Sequence, residues 1–461
     1  MTSLADLSAV DLVSRYRNRS LSPVEVTEAV LQRIEAGEPQ LQALWALDPD
    51  GARAAAAASA TRWAEGQPLG PVDGVPVTIK ENIATQGVAV PLGTAATALV
   101  PASADAPPAA RLREAGAVIL AKTTMPDYGM LSSGLSSFHK LARNPWDPSK
   151  NPGGSSAGAG AAAAAGYGPI HVGTDIGGSI RLPAAWCGVV GLKPSLGRIP
   201  IDPPYVGRVA GPMTRTVADA ALAMAVLSRP DGRDGMSLPP AGIDWTDLHI
   251  DPRSLRIGLM LDIGAGMDLD PEVRDAVVAA ARALEAAGAA IEPVPAILTR
   301  GMLDGLDDFW RARSWDDVSK LAEADRAKIL PYIRAWAESG ARRSGLDVIR
   351  GFNRTMEIRR SAASLFESFD FILSPTAPVA GFPAEWASPL NDPERPFEHI
   401  GYTVPWNMSE QPAVSINCGF TAAGLPIGLQ IIGRRFDDIG VLRLAQSYED
   451  IRGSQRPWPM Y

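Results

Sequence analysis

Two serines of this sequence stand in surroundings that could support chemistry. Ser155 follows a glycine pair and precedes an alanine-rich run, and Ser179 ends the run GTDIGGS. Each run predicts a turn that opens a helix, where unpaired backbone N–H groups favour negative charge. A serine among such groups has the parts needed for acyl transfer, a nucleophile beside an oxyanion hole. Residues 151 to 191, which hold both serines, are the stretch that the rest of the chain must position.

Ser179 is the candidate nucleophile. The competing interpretation is that it only caps the helix after a tight strand-to-helix turn. Asp175 and Arg181 flank the glycines at a spacing that lets them pair across the turn and hold it rigid. Consecutive N–H groups between them could then form an anion-binding nest. The residues of this predicted nest are Ile176, Gly177, Gly178 and Ser179.

A base must take the proton of Ser179, and none of the four histidines stands in a pattern typical of a Ser-His-Asp site. His171 is interpreted as a packed strand residue. Lys80 ends the alternating run GVPVTIK, and burial at the end of a strand would keep its amine neutral, as in Ser-Lys sites. The alternative is a solvated surface lysine. Ser155 could pass the proton between Ser179 and Lys80, or could be an ordinary helix N-cap.

The glycine-rich tract does not match a nucleotide-binding loop. It lacks the Gly-Lys-Ser/Thr of a Walker A motif and the acidic residue of a dinucleotide site. The sequence also holds no CxxC, no HExxH and no carboxylate cluster at ligand spacing. These observations argue against nucleotide binding and against metal catalysis.

The predicted elements that position these residues alternate between strand and helix, which is typical of an α/β domain. A Ser22–Glu25 capping box starts the second of two N-terminal helices. A loop at 229–245, rich in Gly, Pro and Asp, is the best candidate for a subdomain boundary. The other predicted elements are a helix at 51–65, a strand at 74–80, a helix and strand within 105–122, a strand at 170–172, a helix at 216–228, a βαβ unit within 255–294, helices within 301–366, and strands at 371–374 and 428–432.

Composition narrows the class of protein. The 461 residues carry a net charge of -8, and no basic run stands out, which argues against nucleic acid and anionic membranes as partners. No run approaches the roughly 18 apolar residues of a membrane span, and the N-terminal segment lacks the apolar core of a signal peptide. Cys187 and Cys418 are expected to be reduced thiols. We therefore expect a soluble cytoplasmic protein.

The run GGSSAGAG, followed by GTDIGGSIRLPAAWCGVVGLKPS, resembles the amidase signature family. The resemblance covers nearly the whole chain. It extends to the segments GVPVTIKENIATQG, AKTTMPD, RNPWDPSKNPGGSS, GPMTRTVADAAL, SPTAP and GLPIGLQIIG. It implies one large α/β domain with a mixed, twisted central sheet, helices on both faces and the site at strand ends. Within 1–461, residues 1–228 would form the core with the signature tract, 229–370 a mostly helical insertion, and 371–461 the returning strands.

The resemblance also implies a Ser–cis-Ser–Lys triad. Ser179 would attack the carbonyl, Ser155 would relay the proton from a cis peptide bond after Gly154, and Lys80 would be the ultimate base. The interval between the two serines matches the family's. Backbone N–H groups from Ile176 to Ser179 would form the oxyanion hole. Gly129 falls where family members line the site of the substrate carbonyl.

The expected reaction is hydrolysis of a small carboxylic amide through an acyl-enzyme, without a cofactor. Carbamates, anilides and esters share the attacked carbonyl. Aromatic residues within 301–340 could line the pocket or form a lid, or could be ordinary core. Ala157 replaces a glycine of the family's second pair, and TTMPDYGM differs from the run common in the relatives that serve tRNA-dependent amidotransferases. An amidotransferase component that works with a protein partner is the first alternative, and a silent scaffold is the second. A monomer or homodimer is expected.

Overall fold

An eleven-stranded mixed sheet is the centre of this computed structural model, which describes residues 3–461. The order across the sheet is β1-β3-β2-β4-β6-β5-β10-β11-β9-β7-β8. Strands β3, β2 and β4 run parallel near one end and β9, β7 and β8 near the other, while the middle strands pair antiparallel. The strands are β1 (Leu44–Trp45), β2 (Pro76–Lys80), β3 (Val118–Thr123), β4 (Ile170–Asp175), β5 (Val190–Lys193), β6 (Val209–Thr214), β7 (Arg256–Leu259), β8 (Ala290–Pro293), β9 (Phe371–Pro375), β10 (Ala413–Phe420) and β11 (Pro426–Gly433).

Fourteen α-helices surround the sheet within the described residues. Several begin at a side-chain cap, and the Ser22–Glu25 capping box predicted from the sequence is present. The helices are α1 (Ala9–Arg17), α2 (Pro23–Leu41), α3 (Pro49–Glu65), α4 (Pro107–Glu114), α5 (Ala157–Ala165), α6 (Arg181–Cys187), α7 (Val217–Leu227), α8 (Pro271–Ala286), α9 (Arg300–Ser319), α10 (Glu323–Arg326), α11 (Pro331–Ser339), α12 (Gly345–Leu365), α13 (Val404–Met408) and α14 (Asp438–Ile451).

Most of the sheet is buried on both faces, as β9 illustrates, whereas the edge strand β8 is largely exposed. Neighbouring residues of a strand point to opposite faces. Phe371 and Leu373 pack into one apolar cluster, which includes residues of α7, α8 and α14. Ile372, between them, packs into a second cluster with residues of α9, α11 and α12. The expected single α/β domain, with helices on both faces of a mixed sheet, is confirmed.

Only part of the stretch 229–370 is a separate helical layer. Its helices from Arg300 onward do form a separate packed layer, in which α9 and α12 are neighbours. However, β7 and β8 extend the central sheet beyond β9, and α8 packs against β9, β10 and β11. The part before Arg300 therefore completes the sheet, because β9 would otherwise lack its parallel neighbour.

One strand is longer than predicted, and this matters for the site. The apolar run suggested a strand at 170–172, but β4 continues to Asp175, paired with β6 throughout. The glycine-rich loop thus begins only at Ile176. Within residues 3–461, no helix is long and apolar enough to cross a membrane.

Candidate active site

Lys80 is the last residue of β2, and its side chain is fully buried. Strand β2 lies parallel to β4, with Ile79 opposite Val172, so the two strands end at the same edge of the sheet. The Lys80 Nζ atom lies 2.8 Å from Ser155 Oγ and 3.0 Å from Thr174 Oγ1. It therefore sits among hydroxyl groups rather than in solvent, which excludes the alternative of a solvated surface lysine.

The surroundings of Lys80 favour its neutral form. Burial lowers the pKa of Lys80 well below its ordinary value, and the positive charge of Arg208 lowers it further. Asp175 and Glu81 oppose this effect, but neither forms an ion pair with Lys80 among residues 3–461. A buried amine without a carboxylate partner is poised to accept a proton.

Ser155 lies at the start of the tract that leads into α5, and it is 3% exposed. The peptide bond between Gly154 and Ser155 is cis, as the family resemblance implies. A β-carbon on Gly154 would lie 2.4 Å from the backbone nitrogen of Ser133, so this position has no room for a side chain. The helix N-cap is Ser156, not Ser155, and the capping interpretation of Ser155 is therefore wrong.

Ser156 was not singled out from the sequence, yet it joins the parts of the site. Its hydroxyl lies 3.1 Å from Lys80 Nζ and donates to the backbone carbonyl of Thr174. Its backbone N–H donates to the carbonyl of Ser179 over 3.1 Å. The two serine-bearing turns are thus tied to each other and to the end of β4.

Asp175 and Arg181 pair across the turn, as their spacing predicts. Two hydrogen bonds of 3.0 Å join the guanidinium to the two carboxylate oxygens, and both side chains are fully buried. Burial alone would raise the pKa of Asp175, but the charge and hydrogen bonds of Arg181, with Asn407, hold it below the ordinary value. Arg181 is further held by Gln430 and by the carbonyl of Thr403. The loop 176–179 is therefore fixed from both ends.

The backbone N–H groups of this loop divide into two sets. The N–H of Gly178 donates to Asp175 Oδ1 over 2.7 Å, so it is engaged within the protein and is not free for a substrate oxygen. Including Gly178 in the oxyanion hole is therefore incorrect for this structure. Within the described part of the chain, the N–H groups of Ile176, Gly177 and Ser179 have no hydrogen-bond acceptor. Asp175 thus shapes the loop through Gly178 and leaves three donors available.

Ser179 and Ser155 line one cavity of about 530 Å³. In the described residues, the hydroxyl of Ser179 has no hydrogen-bond partner and the two serine hydroxyls are not hydrogen-bonded to each other. Gly129, with φ of 69°, also lines the cavity, and a β-carbon there would lie 3.3 Å from Ser155 Oγ. The cavity has the size and partly apolar character of a small-molecule site.

One wall of the cavity is aromatic. Trp310 of α9, Trp336 of α11 and Phe397 line it, and both tryptophans pack edge-on against Phe397. A β-carbon on Gly177 would lie 3.3 Å from the Trp310 ring, so the wall touches the loop that carries Ser179. Helical aromatics of the 301–340 region thus serve as core and as pocket wall at once.

Within residues 3–461, no histidine ring is hydrogen-bonded to Lys80, Ser155 or Ser179. His171 is buried in β4, where its ring bonds Thr78 and a backbone carbonyl, as expected for a packed residue. His139 bonds Glu81. His399 reaches the cavity, and burial lowers its pKa to about 3, so its ring is neutral. Among residues 3–461, no three His, Cys, Asp or Glu side chains are grouped so as to hold a metal ion.

Asn407, Gln430 and Thr403 support the site, and local pattern reasoning did not find them. They lie more than 200 residues after Arg181, which they contact. The only sequence signal was that GLPIGLQIIG, which contains Gln430, takes part in the family resemblance. Arg208, which faces the same cavity, gave no signal at all.

Comparison with known proteins places this geometry in a family. Residues 25–442 match the family model described as Amidase. A glutamyl-tRNA(Gln) amidotransferase subunit of Chloroflexus aurantiacus is 34% identical, over 99% of this chain and 99% of its own. An acylamidase of Rhodococcus erythropolis is 33% identical, over 98% of this chain and 96% of its own. The crystal structure of a bacterial aryl acylamidase of the amidase signature enzymes superposes with a TM-score of 0.86 at 30% identity, covering 98% of this chain and 99% of that one.

Three observations point to the same family: the fold, the buried lysine and serine at one sheet edge, and the similarity over the whole length of the chain. This chain therefore belongs to the amidase family, as an amidase-signature enzyme that acts on carbon–nitrogen bonds.

Proposed function

We propose that the protein is a hydrolase of small carboxylic amides that works through an acyl-enzyme on Ser179. The observation that carries this proposal is the 2.8 Å contact between Lys80 Nζ and Ser155 Oγ, beside the cavity that Ser155 and Ser179 line. A buried lysine in contact with one serine, beside a second serine and free N–H donors, has the parts of a Ser-Lys type site.

In the first step, Ser179 Oγ attacks the amide carbonyl carbon. Its proton passes to Ser155 Oγ, while the proton of Ser155 passes to the neutral amine of Lys80. The contact between Lys80 and Ser155 supports the second transfer directly. The first transfer requires the Ser179 hydroxyl to turn toward Ser155, and it is free to rotate because no other group of the described chain binds it.

The negative charge that develops on the carbonyl oxygen would be stabilised by the N–H groups of Ile176, Gly177 and Ser179. Such a donor contributes about 3–4 kcal/mol in other enzymes. Collapse of the tetrahedral intermediate breaks the C–N bond, and the leaving amine takes the proton held by Lys80 through Ser155. Water then repeats the sequence on the acyl-enzyme and releases the carboxylic acid.

The aromatic wall suggests the class of amide. Trp310 lies next to Gly177, so a ring on the substrate could stack on this wall while its carbonyl reaches the loop. Gly129 would then border the carbonyl beside Ser155. Anilides and other aryl amides are the first candidates, followed by carbamates and esters, which carry the same carbonyl.

The test is release of amine or chromophore from a panel of small amides, anilides and carbamates, with Ser179→Ala as the matched variant. We expect turnover of at least one compound by the wild type and none by Ser179→Ala. A fluorophosphonate probe should label the wild type at Ser179. If the panel is inert and the probe does not label Ser179, the nucleophile assignment is wrong and a silent scaffold becomes the better interpretation.

A second candidate is the glutamine-hydrolysing component of a tRNA-dependent amidotransferase. Glutamyl-tRNA(Gln) amidotransferase subunits from several bacteria are as similar to this chain as the acylamidase is. The segment TTMPDYGM differs from the run that such proteins commonly carry, which favours the amidase. Co-expression with the other amidotransferase components separates the two: a stable complex that releases ammonia from glutamine would support the second candidate.

A further inference from the structure

Two arginines face the cavity without a carboxylate partner. Arg208 and Arg313 both line it, and neither forms an ion pair in the described part of the chain. By contrast, Arg311, on the same helix as Arg313, is paired with Asp307. An arginine removed from water without a counter-charge is costly, and such a group is commonly completed by an anionic ligand.

Arg208 lies next to the reacting groups. Val209, the first residue of β6, pairs with Asp175, the last residue of β4. Arg208 precedes Val209, so the antiparallel register places it beside Ile176, where the oxyanion loop begins. In the described residues, the only hydrogen bond of its guanidinium is a long one, 3.5 Å, to the carbonyl of Pro203. The guanidinium therefore keeps most of its donors for a ligand in the cavity.

Arg313 lines the same cavity and is oriented by an aromatic ring. Its guanidinium stacks 3.8 Å from the ring centre of Tyr205, which fixes a planar donor without using its N–H groups. Burial and the charge of Arg313 together lower the pKa of Arg208 to about 10. The two positive charges thus act on the same volume.

Two carboxylates also line this region, and they do not cancel the arginines. Asp202 and Asp317 are exposed, whereas Arg208 is half-buried. Neither carboxylate lies within ion-pair distance of Arg208 or Arg313, although Asp202 partly offsets the charge of Arg208. Exposed carboxylates are hydrated and screened, so they offset the charges of the arginines less than a buried ion-pair partner would. The remaining ionised group on the wall, Asp175, is neutralised by Arg181.

We propose that the substrate carries an anionic group, a carboxylate in the simplest case, which Arg208 and Arg313 bind while the amide carbonyl lies at Ser179. This inference rests on the proposed function for the position of the amide. It adds a substrate class, an amide with a carboxylate on either its acyl or its amine part.

The experiment measures binding separately from catalysis. Ser179→Ala protein is titrated calorimetrically with three para-nitroanilides of similar shape and different charge. They are the anionic succinyl, the neutral isohexanoyl and the cationic γ-aminobutyryl compounds. A second pair, para-acetamidobenzoate and para-acetamidotoluene, moves the carboxylate to the amine part. We expect the anionic member of at least one pair to bind about tenfold tighter or more than its neutral partner, since bidentate guanidinium–carboxylate bonds are strong. The pair that shows the preference identifies which part carries the carboxylate.

Three further variants in the same background test which arginine causes the preference for the anionic compound. Arg208→Gln and Arg313→Gln should each reduce the preference, while Arg282→Gln, exposed on α8 and away from the cavity, should leave it unchanged. Equal binding of charged and neutral members, tighter binding of the cationic compound, or no binding of either anionic compound would overturn the inference. The proposed function fails by a different result, hydrolysis that survives Ser179→Ala.

Discussion

Ser156 donates its backbone N–H to the carbonyl of Ser179, and this 3.1 Å bond connects the two turns of the site. The same residue bonds Lys80 through its hydroxyl. One residue, through its hydroxyl and its backbone N–H, therefore links the strand end that carries the base to the loop that carries the nucleophile. A shift of either turn would break the bond, so the geometry of the pair is set before substrate arrives.

Replacing Lys80 by methionine should abolish hydrolysis without unfolding the protein. Methionine is similar in volume to lysine and carries no ionisable group, so the buried site keeps its packing. We expect kcat/KM to fall about a thousandfold or more, as for loss of a member of a catalytic set. Lys122→Met is the matched control, because Lys122 is also buried and burial lowers its pKa to about 7, yet within residues 3–461 its amine bonds only the Ile83 carbonyl and the Thr85 hydroxyl. Comparable activity loss in both variants would contradict the role of Lys80.

Activity should depend on the protonation state of Lys80. Burial lowers the pKa of Lys80 and so favours the neutral amine, which means that kcat/KM should rise with pH through that lowered pKa. Arg208 contributes to the lowering, while Asp175 and Glu81 act in the opposite direction. Arg208→Gln removes a positive charge, so the pKa of Lys80 should rise and the rising limb should move to higher pH. The pH profile is measured with a neutral substrate, and a limb that stays in place or moves to lower pH would contradict this account.

Position 178 requires glycine for two reasons, its backbone conformation and the lack of room for a side chain. Its φ is 127°, and a β-carbon would lie 2.5 Å from Thr403 Oγ1. Gly178→Ala should therefore lower the free energy of unfolding by about 1–3 kcal/mol. It should also reduce kcat about a hundredfold or more, because the N–H groups of Gly177 and Ser179 would move. Gly87→Ala, at φ of 83° with open space around it, is the control and should retain activity. Chemical denaturation and kinetics on both variants decide the matter.

The central ion pair should contribute more to stability than any surface pair. Asp175→Asn would leave Arg181 buried beside an uncharged amide, and breaking a buried pair costs about 3–5 kcal/mol. The unfolding free energy, measured in urea, should fall by that order. Asp316→Asn, which breaks the exposed pair with Lys320, should change it little. Similar losses in both variants would show that the Asp175–Arg181 pair is not what holds the loop.

Local sequence patterns predict much of this structure, because short segments contain the apolar alternation and the capping residues that determine their conformation. The alternation in GVPVTIK predicts β2, and the Ser22–Glu25 box predicts the start of α2; both are present. The pairing of Asp175 and Arg181 follows from their spacing around the glycines. These features depend on residues close together in the chain, so their physics is visible without tertiary structure.

Other features depend on how segments that are distant in the chain come together in the fold. Asn407 reaches Asp175 only because β4 and β6 lie near β10 and β11 in the sheet, an order that no local segment encodes. Arg208 faces the cavity because of the register between β6 and β4. The capture of the Gly178 N–H by Asp175 depends on how the loop bends. A prediction of consecutive donors could not separate the engaged amide from the free ones.

The aromatic wall should determine preference for aryl substrates. Trp310 lines the cavity next to Gly177, whereas Trp315, on the same helix, does not reach it. Trp310→Leu removes the ring surface but keeps an apolar side chain, so kcat/KM for an anilide should fall about tenfold while that for a small aliphatic amide changes less. Trp315→Leu should leave the ratio of the two substrates at its wild-type value. An unchanged ratio in Trp310→Leu would mean that the wall is core only and that substrate rings bind elsewhere in the cavity.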